Sequence, residues 1–288
     1  MNKYKNSQKI ILNNENINNQ QSKIIQNKKE NNEIIIELEI FNNKKENEIN
    51  ILCDKNGLIE DNKRNENYYK GHNINQPKEF NYFNKDNTKL YLNEKEIKFN
   101  YKLKFNEIGI NKVIIKSNIK LFSLSSMFYN CINIINIKFI KFNTNNITDM
   151  SYMFSYCIKL SELNLSSFNI NNVIDMSYMF YYCTKLSKLN LSSFNTINVT
   201  NMSYMFYNCI KLSEINLSSF NTNNVIDISY MFYSCYNLSE LNLSSFNIIN
   251  VTGMNYMFYY CENLSLIIIN KLNIKKFEGL INISKLKI

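Results

Sequence analysis

The stretch Asn201–Ile226 reads NMSYMFYNCIKLSEINLSSFNTNNVI, and close copies of it precede and follow it at steps of 26 residues. One cysteine in each copy marks the step: Cys131, Cys157, Cys183, Cys209, Cys235 and Cys261. Phe206 and Met205 belong to phenylalanine and methionine columns with the same step. A fixed period of 20–50 residues is typical of a solenoid, in which each unit buries its apolar side against its neighbours. The sequence therefore predicts a repeat array.

Spacing within the unit predicts a short helix followed by a short strand. Four apolar residues stand at i, i+3, i+4 and i+7, the face of a helix: Met202, Met205, Phe206 and Cys209. Asn201 precedes them as an N-cap residue. An alternating apolar segment, Leu212–Leu217, follows as a strand, and Ser218–Asn221 form a polar corner.

The whole chain is predicted to be an α+β repeat protein. Its main part is a solenoid at residues 123–276, with six 26-residue coils of one short strand and one short helix each. A small antiparallel β domain precedes it at residues 33–122, with Glu33–Phe41 and Glu48–Cys53 as a hairpin and further strands at Lys89–Leu92, Ile97–Phe105 and Ile110–Lys116. Residues 1–32 are polar and low in complexity and are predicted to be disordered, and residues 277–288 form a tail or cap.

Charge and cysteine usage limit the function classes. The chain of 288 residues carries a formal charge of +9, but Ser126–Ser265 hold six Lys against seven acidic residues. The repeats therefore offer no basic surface for nucleic acid. Six of the seven cysteines occupy one repeat position, which favours a column of buried free thiols over disulfide bridges or a metal site. No apolar run reaches the ~18 residues of a membrane span, and no signal peptide is visible.

Catalytic chemistry has little support in the sequence. His72 is the only histidine, so a nucleophilic triad or a Cys53–His72 pair depends on a residue in a polar loop, where a solvated histidine is the ordinary expectation. Phosphate-binding, CxxC and HExxH motifs do not occur. The sequence predicts no catalytic, cofactor or metal residues, and hence no cofactor and no enzyme.

The string Phe206–Leu217 fits F-x-x-C-x-x-L-x-x-[LI]-x-L and resembles the BspA-like class of leucine-rich repeats. The string at residues 169–183 is similar to the 26-residue surface-protein repeat of that class, which occurs in bacterial lipoproteins and in protists. The resemblance implies that the predicted solenoid is of the leucine-rich-repeat type. The resemblance covers roughly residues 123–276. It implies attachment or protein recognition and a cell-surface location, whereas the missing signal peptide favours the cytoplasm.

The predicted binding face consists of outward residues of successive strands: Glu162, Asn164, Lys188, Asn190, Glu214, Asn216, Glu240 and Asn242. It is polar and lacks Arg and aromatic residues. A tyrosine column that includes Tyr178, Tyr204 and Tyr230 is the rival face. We predict non-catalytic recognition of an unidentified protein partner, with a structural or adhesive surface protein that uses the array as a spacer as the alternative. The oligomeric state is left open.

Overall fold

Turns, rather than helices, shape the apolar side of every repeat. The computed structural model describes residues 32–43, 48–53, 58–59, 76–278 and 286–287. In the central repeat, Met202–Asn208 form consecutive turns in which the N–H of Met205 bonds to the carbonyl of Met202 and the N–H of Cys209 to that of Phe206. The helix predicted for this segment is wrong. Residues 1–31 of the segment predicted to be disordered, 1–32, lie outside the described residues. His72 lies outside them as well.

Left-handed residues are the physical reason that the helix does not form. Tyr204 has φ of 59° and Asn208 has φ of 59°, and the equivalent residues of the other repeats share this conformation. A right-handed helix cannot continue through such residues. Four alternate N–H groups, those of Met202, Tyr204, Phe206 and Asn208, instead donate to carbonyls of the next repeat at 2.8–2.9 Å. The turns thereby replace the bonds within a helix by bonds between repeats.

Twelve strands lie within the described residues, and three sheets contain them. The strands are β1 Glu33–Asn42, β2 Glu48–Asn50, β3 Thr88–Leu92, β4 Lys95–Ile97, β5 Lys102–Lys104, β6 Gly109–Asn118, β7 Ile134–Lys141, β8 Glu162–Asn164, β9 Lys188–Asn190, β10 Glu240–Leu243, β11 Leu266–Ile269 and β12 Leu286–Lys287. A seven-stranded sheet has the order β4-β3-β6-β1-β7-β8-β9, a three-stranded sheet the order β10-β11-β12, and β2 pairs with β5. A 3-10 turn, Lys271–Asn273, leads into the short helix α1, Ile274–Glu278.

Strand β1 joins the N-terminal strands to the repeats. It pairs antiparallel with β6 on one side and antiparallel with β7 on the other. Beyond β7 the pairing becomes parallel, through β8 to β9. The predicted hairpin between β1 and the next strand is wrong, because β2 pairs with β5 instead. The segment predicted as one strand, Ile97–Phe105, is divided between β4 and β5.

The predicted fold class is corrected by these observations. The structure is built mainly of sheet and turns, without a helix in each repeat, and its sheets do not form a solenoid. One mixed sheet contains strands from both parts of the chain, so the antiparallel strands do not form a sheet of their own. The segment Glu214–Asn216, equivalent to β8 and β9, is not a strand, and β10 and β11 belong to a separate sheet. The predicted domain boundaries remain predictions.

The core consists of columns of identical side chains. Phe154, Phe180, Phe206 and Phe232 stack with ring centroids 5.4–5.5 Å apart and interplanar angles up to 14°. The methionine column and the cysteine column are buried beside them. Each aromatic pair adds about 0.5–1.5 kcal/mol beyond the burial of its area. The core positions predicted from the repeat period are confirmed.

The last repeat is closed by residues that keep the repeat register. Phe277, 26 residues after Val251, is buried and lies 6.2 Å from the Phe258 ring. Lys276 stands 26 residues after Asn250, and its ammonium group donates to the carbonyls of Ile248, Ile249 and Val251 at 2.7, 2.9 and 3.0 Å. The short helix α1 therefore supplies the partners that a further repeat would provide.

Among the described residues, no helix is both long enough and apolar enough to cross a membrane.

Candidate functional site

The predicted binding residues lie on one exposed face of the repeats. All eight side chains are exposed. Glu162 and Asn164 lie on β8, Lys188 and Asn190 on β9, and Glu240 and Asn242 on β10. The remaining two, Glu214 and Asn216, lie in the equivalent segment between β9 and β10.

Part of this face is a concavity of 1010 Å³, here called the strand cleft. Six of the predicted residues line it: Glu162, Asn164, Lys188, Asn190, Glu214 and Asn216. Glu240 and Asn242 are not part of its lining. The cleft is long and open, and both polar and apolar groups line it. Such a shape suits an extended or convex partner more than an enclosed small molecule.

Asn136 and Lys138 are among the lining residues that the sequence reasoning missed. They stand 26 residues before Glu162 and Asn164, so the repeat step itself points to them. The first repeat diverges from the others, and its strand was recognised only by its apolar residues. The face therefore begins one repeat earlier than predicted.

Charges on this face alternate from strand to strand. Glu37 on β1 lies between Lys112 on β6, at 3.6 Å, and Lys138 on β7, at 3.3 Å. In the cleft, Lys188 lies 3.6 Å from Glu162. The Lys188–Glu162 pair is exposed on both sides and contributes little to stability, whereas the Glu37 side chain is only 16% exposed. These pairs leave the cleft with interleaved charges of both signs, which favours a partner that also presents both signs.

The asparagines of the cleft hold the chain at its next corner. The side-chain Oδ1 of Asn164 accepts the N–H of Ser166 at 3.0 Å, and Asn190, Asn216 and Asn242 accept the N–H of the equivalent serines at the same distance. This Asx turn is a common structural use of asparagine. Each amide keeps its Nδ2 donor for other partners. Half of the predicted binding residues thus also have a structural role.

The rival tyrosine face is mostly packed against the repeats. Tyr152, Tyr178, Tyr204 and Tyr230 stack with centroids 4.5 Å apart. The first three of these side chains are buried. Tyr256, Tyr259 and Tyr260, in the last repeat, are 48–55% exposed. The most exposed tyrosines of this face therefore lie at the end of the array.

A second line of polar residues connects the first strands to the repeats. Lys78 donates to Asp149 at 2.6 Å, and this hydrogen bond raises the pKa of Lys78. Asp175, one repeat further on, accepts the N–H of Ser177 at 2.8 Å. Burial raises the pKa of Asp175, and the neighbouring Asp149 adds to this rise. Asn201 replaces the acid in the next repeat and makes the same bond to Ser203 at 2.9 Å.

The cysteine column consists of free, buried thiols. Cys209 donates to the carbonyl of Phe180 in the preceding repeat at 3.2 Å. Burial raises the pKa of Cys209 far above its ordinary range. The protonated thiol is a poor nucleophile and a poor metal ligand. Cys53 is likewise buried, and within the described residues no group of three or more His, Cys, Asp or Glu is placed to hold a metal ion.

Comparison with known proteins identifies the repeats. A family model described as "Mycoplasma protein of unknown function, DUF285" matches three overlapping stretches, residues 99–190, 120–236 and 184–283. The chain belongs to this family. The three overlapping matches show a repeat protein, as the 26-residue period predicted. No curated protein and no solved structure matches the chain.

Proposed function

We propose that this repeat protein is a non-catalytic recognition protein that binds a protein partner in the strand cleft. The observation that carries the proposal is the row of exposed polar residues that successive repeats bring into one concavity of 1010 Å³. The resemblance of the repeat to the BspA-like class, for which attachment and recognition are implied, supports it.

The chemistry of the cleft indicates what kind of partner fits. Lys138 and Lys188 are balanced by Glu162 and Glu214, so the cleft lacks the positive excess that binds phosphate backbones. Amide donors and interleaved charges suit a protein surface with hydrogen-bond acceptors and both charge signs. The lining contains no arginine, and its aromatic residue, Phe139, is half-buried, so we expect modest affinity.

A charge-swap variant tests the cleft directly. Lys188→Glu/Glu214→Lys reverses the charge order in the cleft without changing the net charge. The matched control, Lys185→Glu/Glu262→Lys, makes the same two changes at exposed positions outside the cleft lining. Immobilised full-length chains are used to capture partners from the native lysate, and bound proteins are quantified by mass spectrometry.

The proposal predicts a protein that the wild type and the control retain and that the cleft variant loses at least tenfold. A third variant, Tyr256→Ala/Tyr259→Ala/Tyr260→Ala, removes the exposed tyrosines. Loss of the partner from this variant alone would assign recognition to the tyrosine end and contradict the proposal. A partner that all variants retain equally would bind outside the cleft and contradict the proposal. Capture of no partner by the wild type would favour the alternative role as a structural or adhesive spacer.

A further inference from the structure

A second surface of the repeats carries no charge. Four residues in each of five repeats build it: 145–148, 171–174, 197–200, 223–226 and 249–252. None of these twenty residues is Asp, Glu, Lys or Arg. Phe122 stands 26 residues before Thr148 and extends the surface at one end. We call this surface, with Phe122, the uncharged wall.

Large apolar side chains project from the wall. Phe122, Ile174, Ile197, Ile226 and Ile249 are 41–65% exposed. Together they expose an apolar area of roughly a few hundred Å², about the size of the largest apolar patch on a typical monomer, which is often functional. The groove beside them is lined by Phe122, Asn146, Thr148, Asn172, Ile174, Asn198 and Thr200.

Several polar donors of the wall are already bonded within the protein. The Nδ2 of Asn198 donates to the carbonyl of Asn171 at 2.6 Å, and Asn172, Asn224 and Asn250 make the equivalent bond at 2.7 Å. The hydroxyl of Thr200 donates to the carbonyl of Ile174 at 3.3 Å. Covering the wall therefore leaves these donors satisfied, so the desolvation cost is small.

Backbone pairing leaves no open strand edge on the wall. The N–H of Ile174 donates to the carbonyl of Thr148, that of Thr200 to Ile174, and that of Ile226 to Thr200, at 2.8–2.9 Å. A partner must therefore contact side chains and cannot add a strand.

The isoleucines alternate in a self-complementary pattern. One column reads Thr148, Ile174, Thr200, Ile226, Thr252, and the other reads Asn145, Asn171, Ile197, Asn223, Ile249. Two copies can pack wall to wall with their repeats running in opposite directions. If the two-fold axis lies between the repeats of Thr200 and Ile226, every exposed isoleucine of one copy faces a Thr or Asn of the other. The projecting side chains of each copy then fit beside the smaller residues of its partner.

We infer that the uncharged wall is a weak, two-fold self-association surface, whose partner is a second copy of this chain in antiparallel orientation. The alternation of isoleucine with threonine or asparagine favours this occupant, because a second copy carries the complementary pattern. Since the wall itself carries no charge, the two copies meet there without like-charge repulsion between the contacting side chains. The area of the wall limits the affinity of the dimer. The wall is five repeats long, at about 4.8 Å per repeat, and four residues wide, at about 3.3 Å per residue. Its area is therefore well below the ~800 Å² per partner of a standard interface. Dimerisation is therefore expected only at micromolar or higher concentrations.

Sedimentation velocity of the full chain, over a range from micromolar to near-millimolar concentration, tests the inference. The wild type should shift from monomer to dimer. Ile174→Lys/Ile226→Lys places like charges on both walls and should remain monomeric throughout. The control Ile108→Lys/Ile110→Lys changes two residues that are 62% and 65% exposed outside the wall, and it should behave as the wild type.

Two further variants keep the test independent of folding. Ile174→Thr/Ile226→Thr uses the residue that alternate repeats already carry, and it should weaken the dimer at least fivefold without unfolding the chain. A spin label on Thr200→Cys can be attached selectively, because the described cysteines are buried. In the proposed dimer the two labelled positions are one repeat step, ~4.8 Å, apart along the wall. With the reach of the two label arms added, the intermolecular distance between the labels should be under about 20 Å. A wild type that stays monomeric, a lysine variant that still dimerises, or a long label distance would each overturn the inference.

Discussion

The two sides of the repeat are held together in different ways. On the turn side, Met202–Asn208, four alternate N–H groups donate to the next repeat. On the strand side, the N–H groups of Ser213–Asn216 donate to no neighbouring repeat within the described residues. The turn side is thus the continuous connection through the array. On the strand side, parallel pairing links β7, β8 and β9 and, separately, β10, β11 and β12, but it is interrupted at Glu214–Asn216. The exposed residues of this side vary in charge, as Lys188 and Glu214 do at equivalent positions.

The largest expected effect is the loss of a stacked ring on the turn side. Phe206→Ala should lower the free energy of unfolding by about 3–5 kcal/mol, because Phe206 is fully buried between Phe180 and Phe232. Urea denaturation of the full chain measures it. Ile215→Ala, at a half-buried strand-side position, is the comparison and should cost less. A cost for Phe206→Ala under about 1 kcal/mol would show that the turn side does not hold the array.

A smaller effect is expected where a buried acid lies between repeats. Burial raises the pKa of Asp175, so the folded state binds its proton more tightly than the unfolded state does. The contribution of Asp175 to stability is therefore unfavourable at neutral pH. It becomes more favourable as the pH falls through the raised pKa toward the unfolded value.

Asp175→Asn should stabilise the chain at pH 7 and remove that part of its pH dependence. Asn201 shows that an amide fits this position and keeps the bond to the serine N–H. Denaturation at pH 7 and at pH 4.5 for both proteins measures the difference. Asp227→Asn is the control, since it makes the same change two repeats further along. Destabilisation of Asp175→Asn at pH 7 would contradict the expected sign.

The smallest effect is expected on the strand side. Glu214→Lys copies the residue found at Lys188 and should change the free energy of unfolding by less than about 0.5 kcal/mol, because the side chain is exposed. Thermal and urea unfolding measure it. A loss above 1 kcal/mol would mean that the strand side contributes more to the array than its backbone bonds indicate.

The 26-residue period predicted much of the architecture, but it did not predict the local backbone geometry. The 26-residue step predicted which side chains are buried, and it placed Glu162 and Lys188 on a shared face. The i, i+3, i+4, i+7 spacing of Met202 and its neighbours also fits consecutive turns with a left-handed residue every fourth position. Tyrosine in that conformation is unfavourable for an isolated chain. Ring stacking on neighbouring repeats and backbone hydrogen bonds to them stabilise it, and the local sequence pattern does not reveal those contacts.

The pairing of the N-terminal strands was hidden for a related reason. The predicted strand Glu33–Phe41 is close to the observed β1, but its partners β6 and β7 lie about 75 and 100 residues along the chain. Proximity in sequence favoured a hairpin with β2 instead. The cleft was predicted in part: six lining residues follow from the repeat, while Asn136 and Lys138 lie in a divergent first unit.

The column Asp149, Asp175, Asn201, Asp227 has a consequence for how such a gene can change in length. Unequal recombination that removes one unit, residues 201–226, would rejoin matching sequence and keep both ends of the protein intact. It would also bring Asp227 next to Asp175 and so set three carboxylates in succession, which electrostatic repulsion disfavours. Copy number is therefore coupled to charge: a lineage that loses the Asn201 unit is expected to acquire a neutral residue elsewhere in the same column.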